Sequence, residues 1–557
     1  MAAVGARASA TAWTDAVPHP VYDLRPGRQT TRLAHARVGF DAVYPGIAVR
    51  YYGTDARIEQ DFELAAGADV RQIRLRLRAG ALTLDGGGRL VAAVAGGESF
   101  ALEAPHAWHP EAGGGRAAVP VRYELHADGS AGFRVTGADP SRPLVIDPVL
   151  NYSRAIGGSG YDEAVAVALD AGGQVFVAGL TTATDQPADR LGTTGGDTDV
   201  FVARLDPTAQ TLLSLTYLGG SGADDVRAIV VDGAGRAHIA GNTRSSDFPV
   251  TQPLSGQHTA RGGGDAFVAT LAATGDALAF STYLGGTDAD EVHGLTLAPD
   301  GSLIVVGETR SADFPTVLAR QPINGGLDGF VTKITPDRTI GWSTFHGGQT
   351  SDSIFAVAVD GSGAIAVAGT TNSPDFPVQA AAYGRNTGSD AFVSRFTAGG
   401  SLIFSTYISG SLHDAAQAVG VDEAGAVYVA GSTLSPDIPT SSAIGQGGGL
   451  DVFIASFTPT GTPVALVRVG GSGIDTARAL VINATGLYAT GQTTSGDFPL
   501  LRPAQFTNAG NRDTFVLMLR GSTLFYSTYV GTSSNDDALG LAVDGVGRAM
   551  VTGALHL

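Results

Sequence analysis

The stretch Phe280-Ser-Thr-Tyr-Leu-Gly-Gly-Thr-Asp-Ala-Asp-Glu-Val292 decides the fold, because versions of it recur along the C-terminal two thirds of the chain. The residue before its Leu-Gly-Gly, or the equivalent, is Ala155, Tyr217, Tyr283, Phe345, Tyr407, Arg468 and Tyr529, at spacings of 62, 66, 62, 62, 61 and 61. A period of this length with β-branched and aromatic content marks an array of small sheets, none of which can bury its own faces alone.

One repeat, 224–284, reads as four short strands at 226–231, 237–242, 265–271 and 278–284. The first pair is joined by the tight Asp232-Gly-Ala-Gly235 turn and the last pair by Ala273-Thr-Gly-Asp276, so both are hairpins. A loop of over twenty residues separates strands two and three. Alternating strand direction therefore places that loop and the Gly-Gly-x-x-x-Asp crossover at one end, and the tight hairpins at the other. Four-stranded units close by radial stacking into a β-propeller. First strands beginning near Ala164, Val226, Val292, Ile354, Ala416, Ala477 and Ala538 predict seven units, the last with only two strands of its own. The segment 149–156 is expected to pair into that unit and remove an exposed edge, with Leu144-Val-Ile-Asp147 as a source of its third strand.

Composition agrees. The chain has 557 residues with 78 Gly and 26 Pro, and only 16% are charged, which suits many short strands and argues against long helices. A formal charge of -18 disfavours nucleic acid and anionic membranes as partners. Without cysteine there is no disulfide, thiolate metal site or Cys nucleophile. No apolar run is long enough to span a membrane, and the first thirteen residues lack the apolar core of a secretion signal, so an exported protein would carry its signal elsewhere.

Ahead of the repeats, 1–37 reads as a partly irregular segment and 38–148 as a β-sandwich-like domain. The runs 46–53, 57–64, 73–78, 119–125 and 133–136 alternate with period 2. Arg74, Arg76 and Arg78 form a solvated face opposite Ile73, Leu75 and Leu77. His106 and His109 flank Trp108 with no third metal ligand at a helpful spacing. The junction is read at the prolines 140–148, with the propeller over 149–557.

The signatures Ser281-Thr-Tyr-Leu-Gly-Gly286, Asp247-Phe-Pro249 and Asp199-Val-Phe-Val-Ala-Arg-Leu205 resemble those of the bacterial SBBP seven-bladed β-propeller repeat family. The stretches Asp41-Ala-Val-Tyr-Pro-Gly-Ile-Ala-Val-Arg-Tyr-Tyr-Gly53 and Pro143-Leu-Val-Ile-Asp-Pro148 are similar to the uncharacterised domain that often precedes such repeats. The resemblance implies an exported or cell-surface bacterial protein with no established activity. Three departures stand out: Leu466-Val-Arg468 replaces Ser-Thr-Tyr, Gln186 replaces Phe in the first unit, and no surface-anchoring tail is present.

Comparing the repeats with one another separates scaffold from speciality. The crossover aspartates Asp162, Asp224, Asp290, Asp352, Asp414, Asp475 and Asp536 recur in all seven units, as do Gly179, Gly241, Gly307, Gly369, Gly431, Gly491 and Gly553 of the second strand. Each Asp is expected to accept backbone N–H bonds from its own turn, and each Gly to mark close packing or a bulge. The Asp-Phe-Pro elements at Asp247, Asp313, Asp375 and Asp497, with the Ile form at Asp437, are expected to anchor loops. The rival use of these carboxylates is calcium, for which Asp288, Asp290 and Glu291 form the densest set beside Asn535-Asp-Asp537.

Three residues after each crossover Asp the units differ: Val165, Arg227, His293, Phe355, Gln417, Arg478 and Leu539, each followed by Ala or Gly. These positions are expected to ring the channel mouth on the long-loop face, with Arg227, His293, Phe355, Gln417 and Arg478 as ligand contacts. The bland rival is that the arginines pair with crossover aspartates and the ring plugs the channel. No local motif for catalysis is present, so a monomeric, non-enzymatic exported or cell-surface module binding a glycan or a protein is the preferred reading. The alternative is a lyase or hydrolase of anionic polysaccharide using His293 with Arg227 or Arg478.

Overall fold

The protein was analysed as a computed structural model describing residues 2–3, 11–23, 30–54, 57–76, 81–84, 88, 90–93, 99–102, 105–110, 116–147, 160–182, 188–192, 196–207, 211–322, 325–384, 388–503, 505–508, 510–531, 534–544, 547 and 549–555. It divides into two compact units, Met1–Ala155 and Ile156–Leu557. Among the described residues the only helical element is a three-residue turn, Val70–Gln72, so the protein is all-β and no helix could cross a membrane.

In the first unit a seven-stranded and a four-stranded sheet share one core. Phe62 and Leu64 of Arg57–Leu64 and Ile146 of Leu144–Asp147 come from the larger sheet. Phe133 of Ala131–Val135 and Tyr123 of Val121–Leu125 come from the smaller. Phe133 packs edge-on to Phe62 at 5.6 Å. Leu144–Asp147 pairs with Arg57–Leu64 and with His106–Pro110, so it belongs to this unit and does not supply the third strand expected of the last repeat. The partner proposed for that repeat at 149–156 lies outside the described residues.

In the second unit each repeat folds as read. The model repeat forms Asp224–Val231, Ala237–Thr243, Asp265–Leu271 and Leu278–Leu284, paired antiparallel in sequence order. Four sheets have four strands in this order, and the first and fifth add one short strand. The seventh is the hairpin Asp536–Val543 with Ala549–Leu555. The first strand is an outermost strand of every sheet, and it packs against the first strands of the sheets before and after it; the hairpin strand Asp536–Val543 packs in the same way against Asp162–Leu169 of the first sheet.

The repeat motifs hold the long loops. In Ser281-Thr-Tyr, Ser281 Oγ donates to Pro249 O, Thr282 Oγ1 accepts from Leu254 N–H and donates to Gln257 O, and Tyr283 Oη donates to Ser245 O at 2.7 Å while accepting from Phe248 N–H. All three hydroxyls thus pin the loop 244–264, and burial pushes the Tyr283 phenol up to about 12. Tyr283→Phe leaves Ser245 O and Phe248 N–H without that partner. It is expected to cost about 1.5 kcal/mol in urea unfolding, and the fold itself survives because the third sheet has Phe345 at this place.

The departures in motif account for the two five-stranded sheets. In the fifth, Leu466-Val-Arg468 has no hydroxyls to offer, and the loop instead lays Ser442–Gly445 parallel to Pro463–Gly470. In the first, where Leu215 replaces Ser, Asp189–Gly192 runs parallel to Leu212–Gly219. Backbone groups that lose side-chain partners must find others, and a short parallel strand supplies them.

Candidate functional site

Every first strand carries a β-bulge at the same place. The register slips between Val226 and Ala228, leaving Arg227 as the extra residue, and likewise at Val165, His293, Phe355, Gln417, Arg478 and Leu539. These are the variable positions of the sequence comparison. The bulge also explains the recurring glycine of strand two: a Cβ on Gly307 would stand 1.9 Å from Glu291 O, and on Gly241 2.0 Å from Asp225 O, so no larger residue fits.

The crossover aspartates are consumed by the scaffold. Asp290 is buried, accepts from Gly286 N–H, Ser311 Oγ and Thr309 Oγ1, and is pushed by burial up to about 6. The same Gly and Ser bonds recur on Asp224, Asp352, Asp414 and Asp475. The Asp of each Asp-Phe-Pro element caps the crossover turn: Asp313 accepts from Thr287 N–H and Oγ1, and Asp497 from Ser472 N–H and Oγ. In Leu-Gly-Gly, a Cβ on Gly285 would press on Asp265 Oδ1 and Asp290 Oδ2, and one on Gly286 on Ser311 and Asp313.

The structure therefore does not gather Asp288, Asp290 and Glu291 around one point. Strand alternation sends Asp290 into the scaffold, Asp288 is exposed with its N–H on Ser311 Oγ, and Glu291 faces the other way. Glu291 instead meets His293 and Glu308, with one ligand atom of each within 4.8 Å of the others. His293 Nε2 lies 3.5 Å from Glu308 Oε2, and its ring packs on Phe355 at 5.3 Å. Burial alone would raise the Glu308 carboxyl, but the His293 and Ser353 side chains hold it below the usual range. Glu308 escaped the sequence reading; its signal was its place directly after the recurring Gly307, which the register sets opposite Glu291.

Of the other bulge residues, Arg227 pairs at 3.2 Å with Asp225, not with the crossover Asp224. Asn242 donates to Asp225 Oδ1 and accepts from Val292 N–H of the next sheet. Arg478 is exposed, and among the described residues no carboxylate lies within 4 Å of it. Phe355 and Gln417 are half-buried. At the opposite, hairpin end a cavity of about 560 Å³ is lined by Asp232, Arg236, His238, Pro299 and Asp360 among others, but Arg236 and His238 are both already bonded to Asp232. In the first unit His109 is structural: Nδ1 donates to Pro143 O at 2.6 Å and Nε2 accepts from Asp139 N–H. Arg74 is half-buried and donates to Ile73 O, and the side chains of Arg76 and Arg78 lie outside the described residues.

The fold and this repeated geometry define an all-β repeat protein with a separate leading β domain. A family model described as "Beta-propeller repeat" (SBBP) matches residues 215–249, and one described as "Domain of unknown function (DUF7948)" matches 26–149. The chain thus carries an SBBP β-propeller repeat preceded by a DUF7948 domain. Among curated proteins it is similar to the "Regulatory protein FlaEY" of Caulobacter vibrioides, 28% identical over 214 residues, which is 37% of this chain and 22% of that protein, so the likeness spans under a quarter of the relative's length. Among solved structures it is similar to a putative 6-phosphogluconolactonase from Bacteroides fragilis (12% identity, 79% of this chain and 97% of that one, TM-score 0.35). It is also similar to BamB from Moraxella catarrhalis (10% identity, 75% of this chain and 95% of that one, TM-score 0.28).

Proposed function

We propose that the second unit is a closed seven-bladed propeller, that the β-sandwich-like domain expected at 38–148 precedes it and also takes in the strands Thr11–Asp23 and Thr30–Tyr44, and that the protein is an exported or cell-surface module binding an acidic glycan at the long-loop mouth. One observation carries this reading: a bulge common to all seven first strands presents residues of six different types, Arg alone occurring twice. A rigid scaffold that repeats while its presented side chains do not is suited to reading an asymmetric ligand. Phe355 offers a ring for sugar C–H faces, Gln417 an amide for hydroxyls, and Arg478 a guanidinium for a carboxylate. Packing of the hairpin 536–555 on the first sheet supports closure of the ring.

The test is an array of acidic and neutral oligosaccharides probed with the full chain, then with Arg478→Ala and Phe355→Ala. Retention of an acidic glycan, weakened at least tenfold by either substitution without change in melting temperature, is the expected result. If no acidic glycan is retained, or both variants bind as the parent does, the reading fails. The His293–Glu308 pairing favours a second reading, a lyase or hydrolase of anionic polysaccharide, which release of new chain ends from such a polymer would establish.

A further inference from the structure

We propose that Glu291, His293 and Glu308 of the third repeat sheet form a binding site for a divalent transition-metal ion of the Zn²⁺ type. Three independent features point to it. The first is register. Glu291 and Glu308 are direct cross-strand partners, and like charges placed opposite one another destabilise a sheet unless a cation lies between them. The corresponding pairs are Glu163 with Leu180, Asp225 with Asn242, Ser353 with Thr370, Ala415 with Ser432, Thr476 with Gln492 and Asp537 with Ala554. The third sheet alone opposes two carboxylates there, so the pair is not a requirement of the scaffold.

The second feature is the imidazole. His293 Nε2 is shielded from solvent and makes no hydrogen bond, although Glu308 Oε2 is 3.5 Å away. That separation is too long for a hydrogen bond but suits two donors on one tetrahedral ion, which stand about 3.4 Å apart when each is about 2.1 Å from the metal. The third is positioning. The bulge makes His293 the extra residue between the paired Val292 and Gly294, which brings its side chain to the edge of the carboxylate pair, while Phe355 of the next sheet backs its ring. Arg310, two residues after Glu308 and just past the end of its strand, also acts on Glu308 through its charge.

One imidazole nitrogen with two carboxylates selects a borderline ion over Ca²⁺ or Mg²⁺, which prefer all-oxygen shells. Three protein ligands leave a coordination position open to water or to an oxygen of a molecule at the mouth. This site goes beyond the glycan reading and does not depend on it, since the ion binds with no sugar present.

The experiment is calorimetric titration of the full chain, freed of metal, with zinc chloride alone, repeated with His293→Gln, Glu308→Gln and Asp288→Asn. A saturable site weakened at least tenfold by His293→Gln and by Glu308→Gln, and unchanged by Asp288→Asn, is expected. Co²⁺ in place of Zn²⁺ should give a visible absorption band that both ligand variants lose while their circular dichroism stays that of the parent. Absence of heat overturns the proposal. So does binding that both ligand variants retain, because other histidines would then hold the ion, and so does a loss in Asp288→Asn, because the crossover loop would then be the site.

Discussion

Arg395→Met is expected to lower the stability of the protein by about 3–5 kcal/mol in equilibrium urea unfolding. Arg395 belongs to the third strand of the fourth sheet, Asp390–Phe396, and its guanidinium is buried. It pairs with Asp360 in the turn between strands one and two of its own sheet and donates to Gly425 O and to Pro459 O of the fifth sheet. One side chain therefore ties two sheets together where water cannot replace it. Burial alone would raise the Asp360 carboxyl, but bonds from Ser362, Ala364 N–H and the Arg395 charge hold it below the usual range. Removing the arginine leaves Asp360 Oδ2 buried without its counter-charge while Oδ1 keeps Ser362 and Ala364 N–H, and a buried charge that loses its partner is the costly half of a broken pair.

The chain itself supplies the control. At the equivalent positions the sixth sheet has Met518 and Asn483, a neutral combination that packs in the same architecture. Arg395→Met combined with Asp360→Asn recreates it and should recover more than half of the loss. A single variant within 1 kcal/mol of the parent, or a double variant no better than the single, would show that the pair does not hold these sheets.

His346→Leu is expected to change how stability responds to pH. His346 ends the fourth strand of the third sheet and is buried against the rings of Phe376, Phe392 and Phe396, with Nε2 2.8 Å from Ser394 Oγ. Burial pushes its imidazole down to about 3. The folded protein thus keeps His346 neutral where the unfolded chain, titrating near 6.5, takes up a proton. The stability that goes with neutral His346 is complete above pH 6.5 and is lost as pH falls toward 3. Between pH 8 and pH 5 this one group should cost about 2 kcal/mol. The equivalent positions are Leu218, Leu284, Ile408, Val469 and Val530, so Leu suits the site, and Ser394 keeps Ser405 as a partner. Melting temperatures of parent and variant, compared at pH 8 and pH 5, should diverge in favour of the variant at the acid end. Parallel curves would mean that His346 is protonated in the folded protein.

The repeat architecture was legible from period alone, because a sheet that recurs every 61 to 66 residues must put the same residue types at the same strand positions. Strands expected at 226–231, 237–242, 265–271 and 278–284 differ from those observed by at most two residues at an end. The scaffold roles of the crossover Asp and of the strand-two Gly were legible for the same reason: a residue that recurs in every unit answers to the unit. What chain order could not convey was which neighbours in sequence become neighbours in space. Asp288, Asp290 and Glu291 lie within four residues, yet the alternation of a strand turns Asp290 into the scaffold and Glu291 away from it. Glu308 is seventeen residues from Glu291 and directly opposite it, because a hairpin with one bulge sets the register there. Period and motif thus determined the sheets, their order and their repeated hydrogen bonds, since these follow from local geometry that every unit shares. The meeting of Glu291, His293 and Glu308 was decided only by the tertiary structure, because cross-strand register and a one-residue bulge determine which side chains share a face.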